Sequence, residues 1–383
     1  MASSSPLSLS GLLNELLAED DAQASSIDDA SAGAAAEARP AERAPTAGAD
    51  DSALAGLLEE MEQRGSRGFG DLDVPCSEDR TGTRSSPASG GRPATAVPRP
   101  WALLDRARAA AVVSIAQDQN RQFRDYMEDG SKVRDPFSVP GCGAGECWGF
   151  YAVYDGHGGR EATDYCESRL HEQVLAEMQT LSSDNDVSRI LSAAFQKIDS
   201  QLAMYGAWGH GCTATVALVH RKQGRGITLH VANVGDSRAV LLCGSGASRL
   251  SRDHRPDDPA EAQRVVREGG RVIDGRVGAD LAISRSLGDH RLKCKGVSSE
   301  PDTTSCSVAH GHALIIASDG LWDVLSDAEA CEALETCVER GLELGMGQVE
   351  LMNWLQDNAA SELVDRAKRL GSEDNILVLV VFL

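Results

Sequence analysis

The chain has 383 residues, 42% of them hydrophobic, and a formal net charge of −21. That length allows one large domain or two ordinary ones with a real core. Acids exceed bases both in the first 108 residues and in the remainder, which argues against nucleic acid or an anionic membrane as a general partner. No apolar run approaches bilayer length. The ten cysteines form no Cys-x-x-Cys pair, so zinc is a poor reading and reduced thiols a good one. The acidic start through Glu19-Asp20-Asp21 is unlike a transit peptide. A monomer of the cytoplasm, the nucleus or both is expected.

Residues 1–108 are rich in Ala, Ser, Gly, Pro and acids, with Phe69 the one aromatic before Trp101. Such a segment cannot bury enough apolar surface to offset the entropy of ordering it, and a disordered acidic tail is predicted. Two near copies interrupt it, Leu9-Ser10-Gly11-Leu12-Leu13 within 7–17 and Leu54-Ala55-Gly56-Leu57-Leu58 within 52–63. Each places apolar residues at i, i+3, i+4 and i+7, the stripe of a short amphipathic helix. Repetition in a polar tail suggests a docking partner for these motifs; the alternative is a pair of marginal helices that dock on nothing or pack on the folded domain of the same chain.

From Ala109 the texture changes, and a folded domain over 109–383 is predicted. Strands are expected at Trp148–Tyr154, Thr213–Val219, Ile227–Val234, Ala239–Leu242, Leu314–Ala317 and Asn375–Leu383, where β-branched and aromatic residues gather. The stretch Ile227–Cys243 reads as a hairpin turning at Gly235-Asp236. Helical patterns lie at Arg160–Glu177, Val187–Met204, Pro259–Glu268, Asp327–Arg340 and Met346–Arg369. Strands cluster instead of alternating strictly with helices, so the fold class is α+β and layered.

Three of these hydrophobic stretches meet an acid at one end: Tyr154 runs into Asp155-Gly156, Ser318 into Asp319-Gly320, and Asp374-Asn375 leads into Ile376. Glu128-Asp129 adds a paired acid. Each alone could be a turn residue. Together they would repel one another and resist desolvation unless a cation neutralised them. Hard carboxylate oxygens suit Mg²⁺ or Mn²⁺.

The same segments, with Gly211-Cys212-Thr213, Gly235-Asp236-Ser237-Arg238, Arg285-Ser286-Leu287-Gly288-Asp289 and Ser318-Asp319-Gly320-Leu321-Trp322-Asp323, occur in an order that resembles the protein phosphatase 2C family of metal-dependent protein serine/threonine phosphatases. The resemblance covers about 109–383. It implies two antiparallel β-sheets packed as a sandwich and flanked by α-helices. It implies hydrolysis of phosphoserine and phosphothreonine in phosphoprotein substrates by water activated between two Mg²⁺ or Mn²⁺ ions, with a third possible. On that pattern Asp155 bridges the ions, and the Gly156 carbonyl contacts one. Asp319 and Asp374 complete the first site, and Glu128 and Asp129 hold the second. Asp236 and Asp323 serve a weaker third site, although the first also suits a turn and the second a helix cap. Arg124 would bind phosphate, or pair with Asp125 or Asp129. His157 would protonate the leaving oxygen, and Thr213 would help order the waters. Gly269–Gly278 falls where the family carries a mobile flap. The alternative is a pseudophosphatase binding module, which would be expected to have lost one of the five principal acids; all five are present.

Overall fold

The computed structural model describes residues 108–143, 145–180, 187–222, 226–243 and 246–383. The two tail motifs at 7–17 and 52–63 lie outside them. Ten strands form the body: β1 (Val112–Asp118), β2 (Gly130–Arg134), β3 (Glu146–Tyr154), β4 (Ala214–Lys222), β5 (Gly226–Val234), β6 (Arg238–Cys243), β7 (Gly246–Arg249), β8 (Asp302–Val308), β9 (Ala313–Ala317) and β10 (Ile376–Phe382). They pair antiparallel into two five-stranded sheets, ordered β1-β10-β9-β6-β7 and β8-β5-β4-β3-β2. The main helices are α1 (Glu161–Thr180), α2 (Val187–Tyr205), α3 (Pro259–Arg267), α4 (Asp327–Glu343) and α5 (Gln348–Arg369).

The layering follows from alternation along a strand. In β10, Leu377, Leu379 and Val381 join Tyr151, Val153, Val231 and Leu241 in a core between the two sheets. Ile376, Val378, Val380 and Phe382 face the other way, against Leu334, Leu355 and Leu363 of α4 and α5. Phe150, Ala152 and Tyr154 of β3 pack outward on Leu170 of α1 and on Ile190, Phe195 and Ile198 of α2. A central strand covered on both faces therefore reads as one unbroken apolar run. The expected sandwich with flanking helices is present. Ser326 caps α4 in a capping box with Glu329, so Asp323 does not cap that helix. Among the described residues no helix is long and apolar enough to cross a membrane.

Two features differ from the sequence reading. Ile227–Cys243 is not a hairpin: β5 belongs to one sheet and β6 to the other, so Gly235-Asp236-Ser237 bridges the layers. The four edge strands, β1, β7, β8 and β2, were not foreseen. The register puts every expected acid at one end of the sandwich. Gly130 pairs with Tyr154, so Asp129 and Asp155 emerge together. Ala317 pairs with both Arg238 and Val378, so Asp236, Asp319 and Asp374 emerge beside them.

Beside this end, α3 and the chain to Val297 close over a small core of Val265, Val277 and Val297. The segment Gly269–Gly278 lies here, with Val272–Ile273 paired to Arg276–Val277. Its turn residues Asp274 and Gly275 both have positive φ, as a tight two-residue turn requires.

Leu379 is fully buried in the core between the sheets. Leu379→Ala is expected to destabilise the protein by about 2–5 kcal/mol through lost burial and a residual cavity. Val349→Ala, on a side chain 71% exposed, should stay within about 0.5 kcal/mol. Urea denaturation of the two variants checks the contrast; similar midpoints would contradict the layering.

Candidate metal centre

Asp155 leaves β3, Asp236 sits in the crossing from β5 to β6, and Asp319 opens a single helical turn after β9. Each offers a carboxylate oxygen, and these oxygens lie within 4.8 Å of one another. Burial, then the charges of Asp319, Asp129, Asp236 and Asp374, push the Asp155 carboxyl well above the usual range. Asp319 is raised in the same way, first by burial and then by Asp236 and Asp374. Asp236 is pushed up to about 6 by burial, although Arg255 pulls against it. Asp129 rises to about 7, again chiefly by burial. These acids are held apart from water and close to like charge, a state that a hard cation relieves. The donors are all oxygen, which fits Mg²⁺ or Mn²⁺.

The backbone around them is closely determined. A Cβ at Gly156 would lie 2.3 Å from Thr163 Oγ1 and 2.6 Å from the Glu128 carbonyl oxygen, so only glycine lets the chain pass here. Asp155 N donates to Thr213 Oγ1 (3.0 Å), and Thr213 N donates to the Asp155 carbonyl (2.8 Å). Thr213 thus clamps the Asp155 backbone, with its hydroxyl also 2.7 Å from Ser237 Oγ. Ser318 Oγ donates to Asp129 Oδ2 (2.7 Å) and accepts from Leu377 N (3.0 Å), linking the two sheets. Glu128 Oε1 accepts from Gly159 N at 2.7 Å.

Asn375 fastens the remaining acid to the preceding loop. Its Oδ1 accepts from Glu128 N (2.7 Å), and its Nδ2 donates to the Gln119 and Tyr126 carbonyls (2.9 and 3.1 Å). The exposed Arg124 pairs with Asp374, not with Asp125 or Asp129. A second guanidinium, Arg255, lies among other acids of the group. Its Nη2 donates to Asp323 Oδ1 (2.8 Å) and is 3.9 Å from Asp319 Oδ2. Its Nε is 3.0 Å from Asp236 Oδ2 but lacks the alignment of a hydrogen bond. Asp236 therefore stands between two sets, tightly grouped with Asp155 and Asp319 and joined through Arg255 to Asp323.

His157 Nε2 lies 2.7 Å from Asp289 Oδ2, which also accepts from Ser286 Oγ at 2.7 Å. Burial raises the Asp289 carboxyl, but the His157 and Ser286 hydrogen bonds outweigh it and hold the group low. Asp289 and Arg255 were not singled out from sequence. Asp289 closes the Arg285–Asp289 motif, a signal that was available. Arg255 follows Asp253-His254 in a plain loop and offers none.

Residues 113–376 match the sequence profile described as Protein phosphatase 2C. The chain belongs to that family. Its members are protein phosphatases that depend on Mg²⁺ or Mn²⁺. Protein phosphatase 2C homolog 1 of Saccharomyces cerevisiae is 34% identical over 285 residues, spanning 71% of this chain and 93% of that protein. The Schizosaccharomyces pombe protein of the same name is 36% identical over 277 residues, spanning 70% and 72%. A serine-threonine phosphatase 2C structure from Toxoplasma gondii superposes with a TM-score of 0.53 at 23% identity, over 70% of this chain and 94% of that one. That likeness concerns the fold alone.

The raised acids set a pH dependence for the metal-free protein. Asp129 sits at about 7 in the fold and near 3.8 when unfolded. The folded state then holds the extra proton, so this group favours folding below about pH 4 and opposes it as pH rises through 7. In EDTA, Asp129→Asn should match wild type near pH 4 and be the more stable at pH 8, by on the order of a few kcal/mol. Mn²⁺ should stabilise wild type more than the variant. Urea denaturation at both pH values decides; a gap that does not widen with pH contradicts the account.

Proposed function

We propose that this protein hydrolyses phosphoserine and phosphothreonine in proteins, using metal ions held at the acidic end of the sandwich. The observation that supports this most is the approach of Asp155, Asp236 and Asp319 to within 4.8 Å. Asp155, the Gly156 carbonyl, Asp319 and Asp374 would hold one ion, and Glu128 and Asp129 a second. Asp236 and Asp323 would serve a third, with Asp236 near enough to the first set to share its charge. When bound, the ions supply Lewis-acid activation of water and neutralise charge developing at phosphorus.

The chain's own residues would do the rest. Arg124, now on Asp374, exchanges that carboxylate for two phosphate oxygens, which its planar fork fits. As water attacks phosphorus, the bond from phosphorus to the seryl or threonyl oxygen breaks. His157 gives that oxygen a proton and regains one from the attacking water. Asp289 accepts from His157 Nε2, which leaves Nδ1 to face the leaving group and stabilises the charged ring before transfer. Arg255 is a permanent counter-charge for Asp236 and Asp323, since a guanidinium does not deprotonate. No acid expected at the two principal sites is missing, so nothing favours a pseudophosphatase.

Full-length protein should turn over a phosphothreonine peptide in Mn²⁺ or Mg²⁺, and EDTA should abolish turnover. Asp155→Ala should lose at least about a hundredfold in kcat. Robust turnover in EDTA would sink the proposal.

His157→Gln and Asp289→Asn separate proton transfer from support of the fold. Both should slow phosphoserine peptide hydrolysis by about tenfold or more, and slow an activated aryl phosphate much less, because that leaving group needs no proton. Equal losses on the two substrates would refute the acid role.

A further inference from the structure

Next to His157 the surface opens into a cleft of about 460 Å³. One wall is Trp208 and Gly209, just before Gly211–Cys212, which pairs with both Gly156–His157 and Leu287–Gly288. The other comes from the segment between Leu281 and Lys295, and includes Arg291 and Leu292. Trp208 is 55% exposed, a large aromatic surface left in water at the edge of the reacting site.

The charges in the cleft are mostly satisfied. Lys295 Nζ pairs with Asp280 at 2.9 Å, and His157 with Asp289 at 2.7 Å. Arg291 differs. Its Nε donates to the Trp208 carbonyl at 3.1 Å, and among the described residues it has no carboxylate partner. In a chain of net charge −21, an unpaired guanidinium beside a phosphatase site stands out. A seat is also shaped for it. A Cβ at Gly209 would come 1.7 Å from Arg291 Nη2, so the guanidinium rests where residue 209 has no side chain. The Arg291 backbone N–H also donates to the Trp208 carbonyl, at 3.1 Å, which fixes the two walls to each other without the side chain.

We infer that this cleft is a specificity subsite for substrate polypeptide next to the phosphorylated residue, and that it selects an acidic side chain, which seats on Arg291 while its neighbour packs on Trp208 and Leu292. The inference rests on the phosphatase reading. A carboxylate or a second phosphate would both satisfy the guanidinium. Trp208 supplies a flat apolar contact of the kind enriched at recognition sites. Arg291 touches no candidate metal ligand, so removing its charge leaves the chemistry intact.

The test uses the full chain in Mn²⁺ and three phosphothreonine peptides that differ at the positions flanking the phosphoresidue: Gln, Glu or a second phosphothreonine. An activated aryl phosphate, which carries no flanking side chain to place on Arg291, reports the basal chemistry. Wild type should favour the Glu peptide over the Gln peptide by about fivefold or more in kcat/KM, and the preference should shrink with salt. A larger gain with the second phosphate identifies that as the better ligand. Arg291→Gln should erase the preference while sparing the Gln peptide and the aryl phosphate. Gly209→Ala, which displaces the guanidinium, should erode it too. As an independent readout, the Glu peptide in EDTA should change Trp208 fluorescence, absent in Trp208→Phe and weakened at least about fivefold in affinity by Arg291→Gln. Equal rates on Glu and Gln peptides, or a preference that survives Arg291→Gln, would overturn the subsite. If the aryl phosphate is not hydrolysed, the phosphatase reading fails and the fluorescence titration alone decides the subsite.

Discussion

Asp155, Asp236 and Asp319 place three carboxylate oxygens within 4.8 Å, and much of this fold exists to keep them there. Like charges at that separation repel, and burial makes the repulsion worse by removing water. Nothing local to a turn could hold such a group. The sandwich can, because each acid ends or begins a strand whose own burial is large. Tyr154, Val234, Ala317 and Ile376 are the buried hydrophobic residues nearest each acid or acid-bearing turn. Moving any one acid outward would pull a central strand out of register, and a shift of one residue would turn its apolar faces over.

The links between the acids run across the sheets. Ser318 joins Asp129, at the start of a strand in one sheet, to Leu377 in the other. Thr213 and Ser237 join the Asp155 backbone to the crossing that bears Asp236. These are small hydroxyls in buried positions, each with a donor and an acceptor role to fill. They satisfy polar backbone where two layers meet, and they set the distance between acids from different strands.

What was legible in the sequence divides by burial. Strands β3, β4, β5, β6, β9 and β10 occupy the middle of the sheets, covered on both faces, and their apolar runs announced them. The edges β1, β2, β7 and β8 were not foreseen. In Asp302–Val308 only Val308 is buried, and Gly130–Arg134 has only Gly130 buried. Strands like these two need few apolar residues, so composition is silent there, whereas Val112, Val113 and Ile115 of β1 did offer a signal. The false hairpin at Gly235-Asp236 has a related cause. The turn chemistry is local and was read correctly as a turn, but the sheet that Arg238–Cys243 joins is decided by its pairing with Ala313–Ala317, far along the chain. Asp155, Asp319 and Asp374 were legible because each stood beside a central strand, and Glu128-Asp129 because the two acids are adjacent. Arg255 was not, because its partners Asp236, Asp319 and Asp323 come from distant segments.

The two arginines at the rim show how the site balances its charge. Arg124 and Arg255 reach different acids, one pairing with Asp374 and the other lying among Asp236, Asp319 and Asp323. Both are partly exposed, so neither contact is strong. That weakness matters. A deeply buried arginine would neutralise the acids permanently and compete with any divalent cation for the same oxygens. A rim arginine screens them in part, and on the function proposed above Arg124 would give way to a phosphate. For Asp155 and Asp319, burial and repulsion from the neighbouring acids are the largest influences. Unrelieved charge is thus concentrated where a divalent cation would be bound and is softened toward the rim, where substrate would enter.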